Sequence, residues 1–490
     1  MKLDDNIKTI TEKIKQETGQ SSDIIIRDVD LPGKKQITLV FEEAVSDSTF
    51  INRFIMKSLS EDIKHDSHSL FENIFAKLQN DLPIGKLSTI ETYEDLYYYM
   101  FSGFSIILFQ KVKKAIVIEN RATLDRGVSE ATSEPVIRGP KDSFTENYQI
   151  NIGLIRKRIK TEKLWIAEQT IGKQTKTKVG VFYMQNIAEE KLVQKIIQEL
   201  EQIDIDSILD TGYIRELLNQ KHGNIPFPKI ITTERPDLTC MALLKGKIVI
   251  MCENSPYALI IPAFLIDFFH TADDYYQKSV NINFIRIIRA LAFFISIITP
   301  AYHIALTTFN QEMLPTSLLL NFTAQRDSVP FPAFIEAFLM IIVFEILRES
   351  DIRLPTALGS AVSILGALIL GEAAVTAGIV SPIMVIVVAV TAISSLVFTS
   401  VELISAIRFW RIIFMLFATT LGMYGIVLSF ILLLIQLTSI KSFGKPYMIP
   451  FAPFYKTSQK DALFRAELPN LTTRPEYLTK KNRIRQKKGD

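Results

Sequence analysis

Two hydrophobic patterns follow one another along the chain. From residue 23 to about 275, short runs rich in Ile, Val and Phe alternate with amphipathic stretches. Residues 36–41, 105–109, 115–119, 178–183, 247–252 and 257–261 read as strands. Residues 188–203 read as a helix: Leu192, Ile196 and Leu200 recur at four-residue spacing with Val193 and Ile197 beside them, and Lys and Glu fill the other face. This alternation predicts layered α/β subdomains. The polar, Pro- and Gly-marked stretch 120–143 has no helical period and is expected to separate two of them. A helix should start just after it. Ser143 and Glu146 have capping-box spacing, and Tyr148, Ile152, Ile155 and Ile159 form an apolar stripe. Arg156, Lys157, Arg158 and Lys160 then read as a solvated helix end suited to the helix dipole, with an anion or lipid-headgroup contact as the alternative.

Beyond residue 285 the pattern changes to long apolar runs. Five segments stand out, at 290–308, 333–347, 355–378, 383–401 and 412–437, and those of 18 or more residues are long enough to cross a bilayer. Segment 333–347 carries Glu336 and Glu345, and as a 15-residue helix it would reach only about 22 Å. The predicted organisation is a polar lead-in over 1–22, α/β subdomains over 23–130 and 131–280, an all-α multipass transmembrane domain over 285–440 and a basic tail over 441–490.

Charge sharpens this division. Residues 291–440 hold thirteen charged side chains in 150 positions, whereas the tail has twelve Lys or Arg against four acids. The overall balance, a formal net charge of +3, argues against a nucleic-acid partner. Positive-inside reasoning puts the tail in the cytoplasm, and a long front domain with no apolar h-region before it is expected there too. The number of crossings should then be even, so one of the five segments is not a full span. The Glu-bearing 333–347 segment is the weakest and is expected to be re-entrant or to lie in a protein-lined cavity. That assignment puts Arg408 and Arg411 on the far side, which the same rule disfavours, so charge alone leaves the parity open.

Intramembrane carboxylates are costly and mark pathways or buried pairs. Glu345 has Arg348 three residues on, and Glu349 has Arg353 four residues on, so these four are candidate structural ion pairs. Glu336 and Glu372 have no local partner and are candidates for an ion pathway or a subunit interface. Gly359, Ser363 and Gly366 add a small-residue stripe on segment 355–378 that permits close helix packing. Cys240 and Cys252 form no metal or redox spacing, and the five histidines are scattered; His303, inside the first apolar segment, reads as a hydrogen-bonded core residue. The polar knots at 233–237 (TERPD) and 273–276 (DDYY) read as turn chemistry. No phosphate-binding glycine loop or zinc-protease pattern is present, and no nucleophile is supplied with a base. An enzyme is not expected, nor is a cofactor or a metal.

Several long segments resemble one family. ATSEPVIRGPKDSFTENYQINIGLIRKRIK at 131–160, FPKIITTERPD at 227–237, DDYY at 273–276, VPFPAFIEAFLM at 329–340, FEILRESDIRLPTALGSAVSILGALILGEAAV at 344–375 and SFGKPY at 442–447 occur in the order found in GerA-type A subunits of spore-germination nutrient receptors. Where this chain has Glu372, that family usually has Gln or Asp. The resemblance implies a multipass protein of the spore inner membrane that works with a permease-like B subunit and a lipoprotein C subunit. Amino acids, sugars or nucleosides would trigger it, and germination would follow the opening of an ion path. Membrane lipids and further copies of the chain are the other expected partners. A ring of segment 355–378 would line a channel, with Glu372 near one end. The alternatives are a secondary transporter subunit, for which no inverted repeat is visible, or a membrane-tethered signalling scaffold.

Overall fold

A computed structural model describes residues 2–31, 35–57, 70–81, 87–122, 134, 138–221, 225–353 and 369–486. The polar lead-in is helical and packs into the front. α1 (Ile7–Glu17) is capped by Asn6 and buries Ile10 and Ile14 in the core of the first subdomain. There, β1 (Ile24–Leu31), β2 (Lys35–Glu42), β3 (Leu87–Ile90), β4 (Phe104–Phe109) and β5 (Ala115–Glu119) form an antiparallel sheet in the order β1-β2-β4-β5-β3. α2 (Leu70–Asp81) covers one face through Ile74 and Leu78, and α3 (Tyr93–Met100) joins α1 on the other. With both faces covered, β4 (FSIILF) is apolar throughout and buried at every position. A strand exposed on one face would alternate instead.

The second subdomain repeats this topology. α4 (Tyr148–Arg156) precedes β6 (Leu164–Ile171) and β7 (Thr177–Met184); α5 (Glu190–Glu201) and α6 (Thr211–Lys221) follow; then come β8 (Ile231–Thr233), α7 (Pro236–Lys245), β9 (Ile248–Cys252) and β10 (Ala258–Ile261). Its antiparallel sheet runs β6-β7-β9-β10-β8, matching the first strand for strand. β1, β3, β6 and β8 were not among the predicted strands; β1 and β6 mix apolar with charged or amide residues, and β3 and β8 are edges of four and three residues. α4 starts at Tyr148, with the Asn147 side chain accepting from Gln149 and Ile150 N–H, so the cap is Asn147 and not the predicted Ser143. Arg156 is a larger correction. It is completely buried, it donates to the Asp23 carboxylate at 2.7 and 3.1 Å, and it lies 4.5 Å over the Phe101 ring. Lys157 and Lys160 are exposed, as a solvated helix end requires, but Arg156 is a latch between the subdomains.

α8 (Ser279–Thr308) leaves the second subdomain, followed by α9 (Thr316–Arg326), α10 (Ala333–Arg353), α11 (Pro382–Ser395) and α12 (Val401–Ser439). α8 and α12 are long and apolar enough to cross a membrane. α10 is 21 residues long, about 31 Å, and not the predicted 15, because its charged end 348–353 stays helical. α12 is not one rod. Gly422 has φ 60° and ψ −135°, and Trp410 Nε1 donates to Gln436 Oε1 at 2.8 Å. In a continuous helix those residues would be about 39 Å apart. The arms 401–421 and 423–439 thus form an antiparallel hairpin, where the sequence predicts a single segment over 412–437. The tip fits only glycine: at Gly425 a Cβ would lie 2.0 Å from the Phe417 carbonyl oxygen. The chain then returns to where it left. Ser442 Oγ donates to the Lys229 carbonyl at 3.1 Å, and Lys445 and Lys480 pair with Glu189 at 2.5 and 3.0 Å. The predicted basic tail is folded against the second subdomain.

Candidate functional site

The junction between subdomain, helix bundle and tail concentrates buried charge. Asp274 is fully buried; its carboxylate accepts from Arg286 Nε at 2.9 Å and from Arg289 Nη1 at 2.9 and 3.0 Å. Arg286 also reaches Asp461 at 3.2 Å, and Asp461 accepts from Lys245 at 3.1 Å and from the Tyr275 hydroxyl at 2.6 Å. One chain of contacts therefore links α7, the first turns of α8 and the tail. Arg465 adds hydrogen bonds to the carbonyls of Asp274 and Gln277, and His270 Nε2 pairs with the Ala462 carbonyl at 2.8 Å. Burial alone would raise the Asp461 and Asp274 carboxyls. The neighbouring cations, Lys245 and Arg286 at Asp461 and Arg289 and Arg286 at Asp274, instead hold both below the ordinary carboxylate range. Burial, helped by Arg286, pushes the His270 imidazole down to about 4.

The two polar knots belong to this region and are more than turns. Arg235 forms a bidentate pair with Asp237 at 3.1 and 2.6 Å, and the Tyr276 hydroxyl donates to Asp237 at 2.7 Å. Arg158 pairs with Asp142 at 2.6 Å, and the Thr233 hydroxyl donates to Glu134 at 2.6 Å. Glu134 and the segments 138–160, 227–237 and 273–276, distant in sequence, thus meet at the face that carries the bundle.

Inside the bundle, Glu336 is fully buried at the start of α10. Its Oε1 accepts from the N–H and the hydroxyl of Ser381, both at 2.5 Å, and Ser381 is the N-cap of α11. A carboxylate there suits the positive end of the α11 dipole. Glu345 pairs across to Arg408 of α12 at 2.7 Å, where local spacing predicts Arg348. Arg411 is buried and donates Nε–H to the Ser296 carbonyl at 2.7 Å. Between α10 and α12 lies a cavity of about 520 Å³ walled by Phe338, Ile341, Ile342, Ile412 and Met415, with Glu345, Glu349, Arg408 and Arg411 at its polar end. Glu372 is exposed, and Gly359, Ser363, Gly366 and the Arg353 side chain lie outside the described residues. His303 is buried beside Phe322, but its Nε2 has no hydrogen-bond partner among the described residues, contrary to expectation. Cys240 and Cys252 are free and buried, and burial pushes both thiols up to about 12. Among the described residues no group of three or more His, Cys, Asp or Glu could hold a metal. Sequence reasoning missed Asp274, Asp461 and Arg286 as a unit, and it weighed Arg408 and Arg411 only as topology markers.

Residues 12–477 match a family model described as Bacillus/Clostridium GerA spore germination protein. The chain is 39% identical to spore germination protein KA of Bacillus subtilis over 98% of its own length and 88% of that protein's. It is 33% identical to spore germination protein GerLA of Bacillus cereus, covering 99% of each chain. A crystal structure of the N-terminal domain of the A subunit of the Bacillus megaterium spore germinant receptor GerK3 aligns with 54% of this chain and 98% of its own, at 30% identity and a TM-score of 0.43.

Proposed function

The chain belongs to the GerA spore germination family, and from that premise we propose that it is the A subunit of a nutrient germinant receptor in the spore inner membrane. Its helix bundle spans the bilayer, and its α/β front and its tail stay on one side. The observation that carries the reading is the buried Asp274–Arg286–Asp461–Lys245 network, which binds the front, the first bundle helix and the tail into one unit. A change in the front or in a partner subunit would be felt at α8 without a slack linker between them. Return of the tail to the second subdomain supports an even number of crossings, counting the two arms of α12 separately. The same reading makes the protein a multipass receptor subunit working with a permease-like B subunit and a lipoprotein C subunit. Several copies would assemble around an ion path lined by segment 355–378. Catalysis has no role in it.

The test is genetic. Spores lacking the gene, in a background without related receptors, should fail to release cations and to lose refractility with at least one nutrient, and a plasmid copy should restore both. Normal responses to every nutrient in that background would reject the proposal.

A further inference from the structure

Another cavity, of about 80 Å³, lies between the second subdomain and the tail. On the subdomain side Lys245 and Lys247 are each matched by a carboxylate of the lining, Asp461 at 3.1 Å and Asp267 at 2.6 Å. The tail supplies Lys460, Arg474 and Arg485, none of which has an ion pair among the described residues. His270 is neutral and adds no charge. Glu476, which accepts from the Thr457 hydroxyl at 2.8 Å, does not line the space. Three positive charges are therefore left without a carboxylate. The tail also crowds them. Thr473 and Ile484 pair as an antiparallel bridge, with Arg474 N–H donating to the Arg483 carbonyl and Arg485 N–H to the Thr472 carbonyl, both at 2.8 Å. Side chains alternate across such a ladder, so Arg474, Arg483 and Arg485 share one face, where like charges oppose the pairing. Partial burial and the neighbouring Arg485 both work against the charged form of Arg474. Its guanidinium is nonetheless fixed: Nε donates to the Leu244 carbonyl at 3.1 Å and Nη1 to the Ile484 carbonyl at 2.7 Å. That leaves Nη2 without a hydrogen-bond partner among the described residues. The Ser458 hydroxyl, in the same lining, is buried and also has none there. What this set of donors lacks is an anionic acceptor.

We infer that this cavity binds a single phosphate group, whose oxygens accept from Arg474, Arg485, Lys460 and the Ser458 hydroxyl. A phosphate carries close to two negative charges at neutral pH, so it offsets three unpaired cations better than a carboxylate does. Its oxygens also suit the fixed fork of a guanidinium. The volume has room for roughly six water-sized atoms, enough for a phosphate but not for a nucleoside. An occupant ties the tail to the end of α7 beside the Lys245–Asp461 pair, and so bears on the ionic junction. The assignment stands on the lining alone and does not depend on the receptor reading.

The experiment uses the full chain purified in detergent at fixed ionic strength. Labelled inorganic phosphate is titrated by equilibrium dialysis, with acetate as a competitor. One saturable site per chain is expected, and an equal concentration of acetate should not empty it. Arg485→Gln, at an exposed position, should weaken binding about tenfold, and Ser458→Ala about threefold, as the loss of a charged and a neutral hydrogen bond implies. Lys441→Gln removes an exposed charge elsewhere in the tail and should change nothing. No saturable binding to the wild type, equal displacement by acetate, or equal weakening in Lys441→Gln and Arg485→Gln would overturn the assignment. The wild-type titration decides even where a variant fails to fold. Glycerol phosphate and a short-chain phosphatidic acid are then compared as competitors. Stronger displacement by the lipid would make a headgroup the source of the phosphate, and equal displacement a soluble ester; displacement by neither would overturn the site.

Discussion

His270 sits where Arg286, Asp461 and Lys245 converge, and it is neutral because burial and the nearby cations disfavour its charged form. An unfolded histidine takes up a proton near pH 6.5, whereas this one waits until about 4. Between those values the unfolded chain binds more protons, so stability falls as pH falls through that window, by up to about 3 kcal/mol. The midpoint of detergent-solubilised protein should therefore drop more between pH 7 and 4.5 in wild type than in His270→Gln; equal slopes would remove His270 from the junction. Arg156 gives a second residue-scale prediction. Asp23→Ala leaves its guanidinium buried and uncompensated, which costs about 3–5 kcal/mol, and Asp23→Leu with Arg156→Met should recover most of that in denaturant titrations. Neither residue was legible as important. Arg156 opens a basic run and its partner is 133 positions away; Glu345 has a plausible local cation in Arg348 but uses Arg408 on another helix. Spacing rules see one helix at a time, and these pairs are made between elements.

At the scale of elements, central strands such as β4 and β5 were readable because apolar composition alone marks a strand covered on both faces. The α12 hairpin was hidden for a physical reason. A turn among apolar side chains needs no polar turn residues if its backbone finds a partner, and here Met423 N–H donates to the Asn310 side chain at 3.1 Å. What remains in the sequence is glycine. Gly422→Ala would place a methyl group 2.8 Å from Asn310 Oδ1 and from Phe309 Cβ on a left-handed backbone, so the variant should lose the hairpin and accumulate poorly. Trp410→Cys with Gln436→Cys should cross-link readily in membranes; no cross-link under oxidising conditions would mean α12 is a continuous rod.

For the whole molecule, the α/β front followed by an apolar helical half was legible from pattern and charge. The duplicated topology of the two subdomains was not, because it is shared strand order and not shared sequence. Nor was the folded tail, whose lysines read as free charge but pair with Glu189 and Glu190. Single cysteines at Gln459 and at Glu312, in a variant lacking Cys240 and Cys252, should label from opposite sides of the membrane, since the tail returns to the front while 311–313 lies at the other end of α8. Labelling from the same side would contradict the arrangement.

The claim that everything else depends on is that the ionic junction couples the front and tail to the bundle. It is tested most directly by measuring nutrient-triggered cation release from spores carrying Arg286→Gln, with receptor abundance and B-subunit association measured in the same spores. The account predicts an assembled receptor at normal abundance that releases few or no cations on nutrient addition, because α8 no longer holds Asp274 and Asp461 together. Cation release at the wild-type rate from that assembled variant would contradict it.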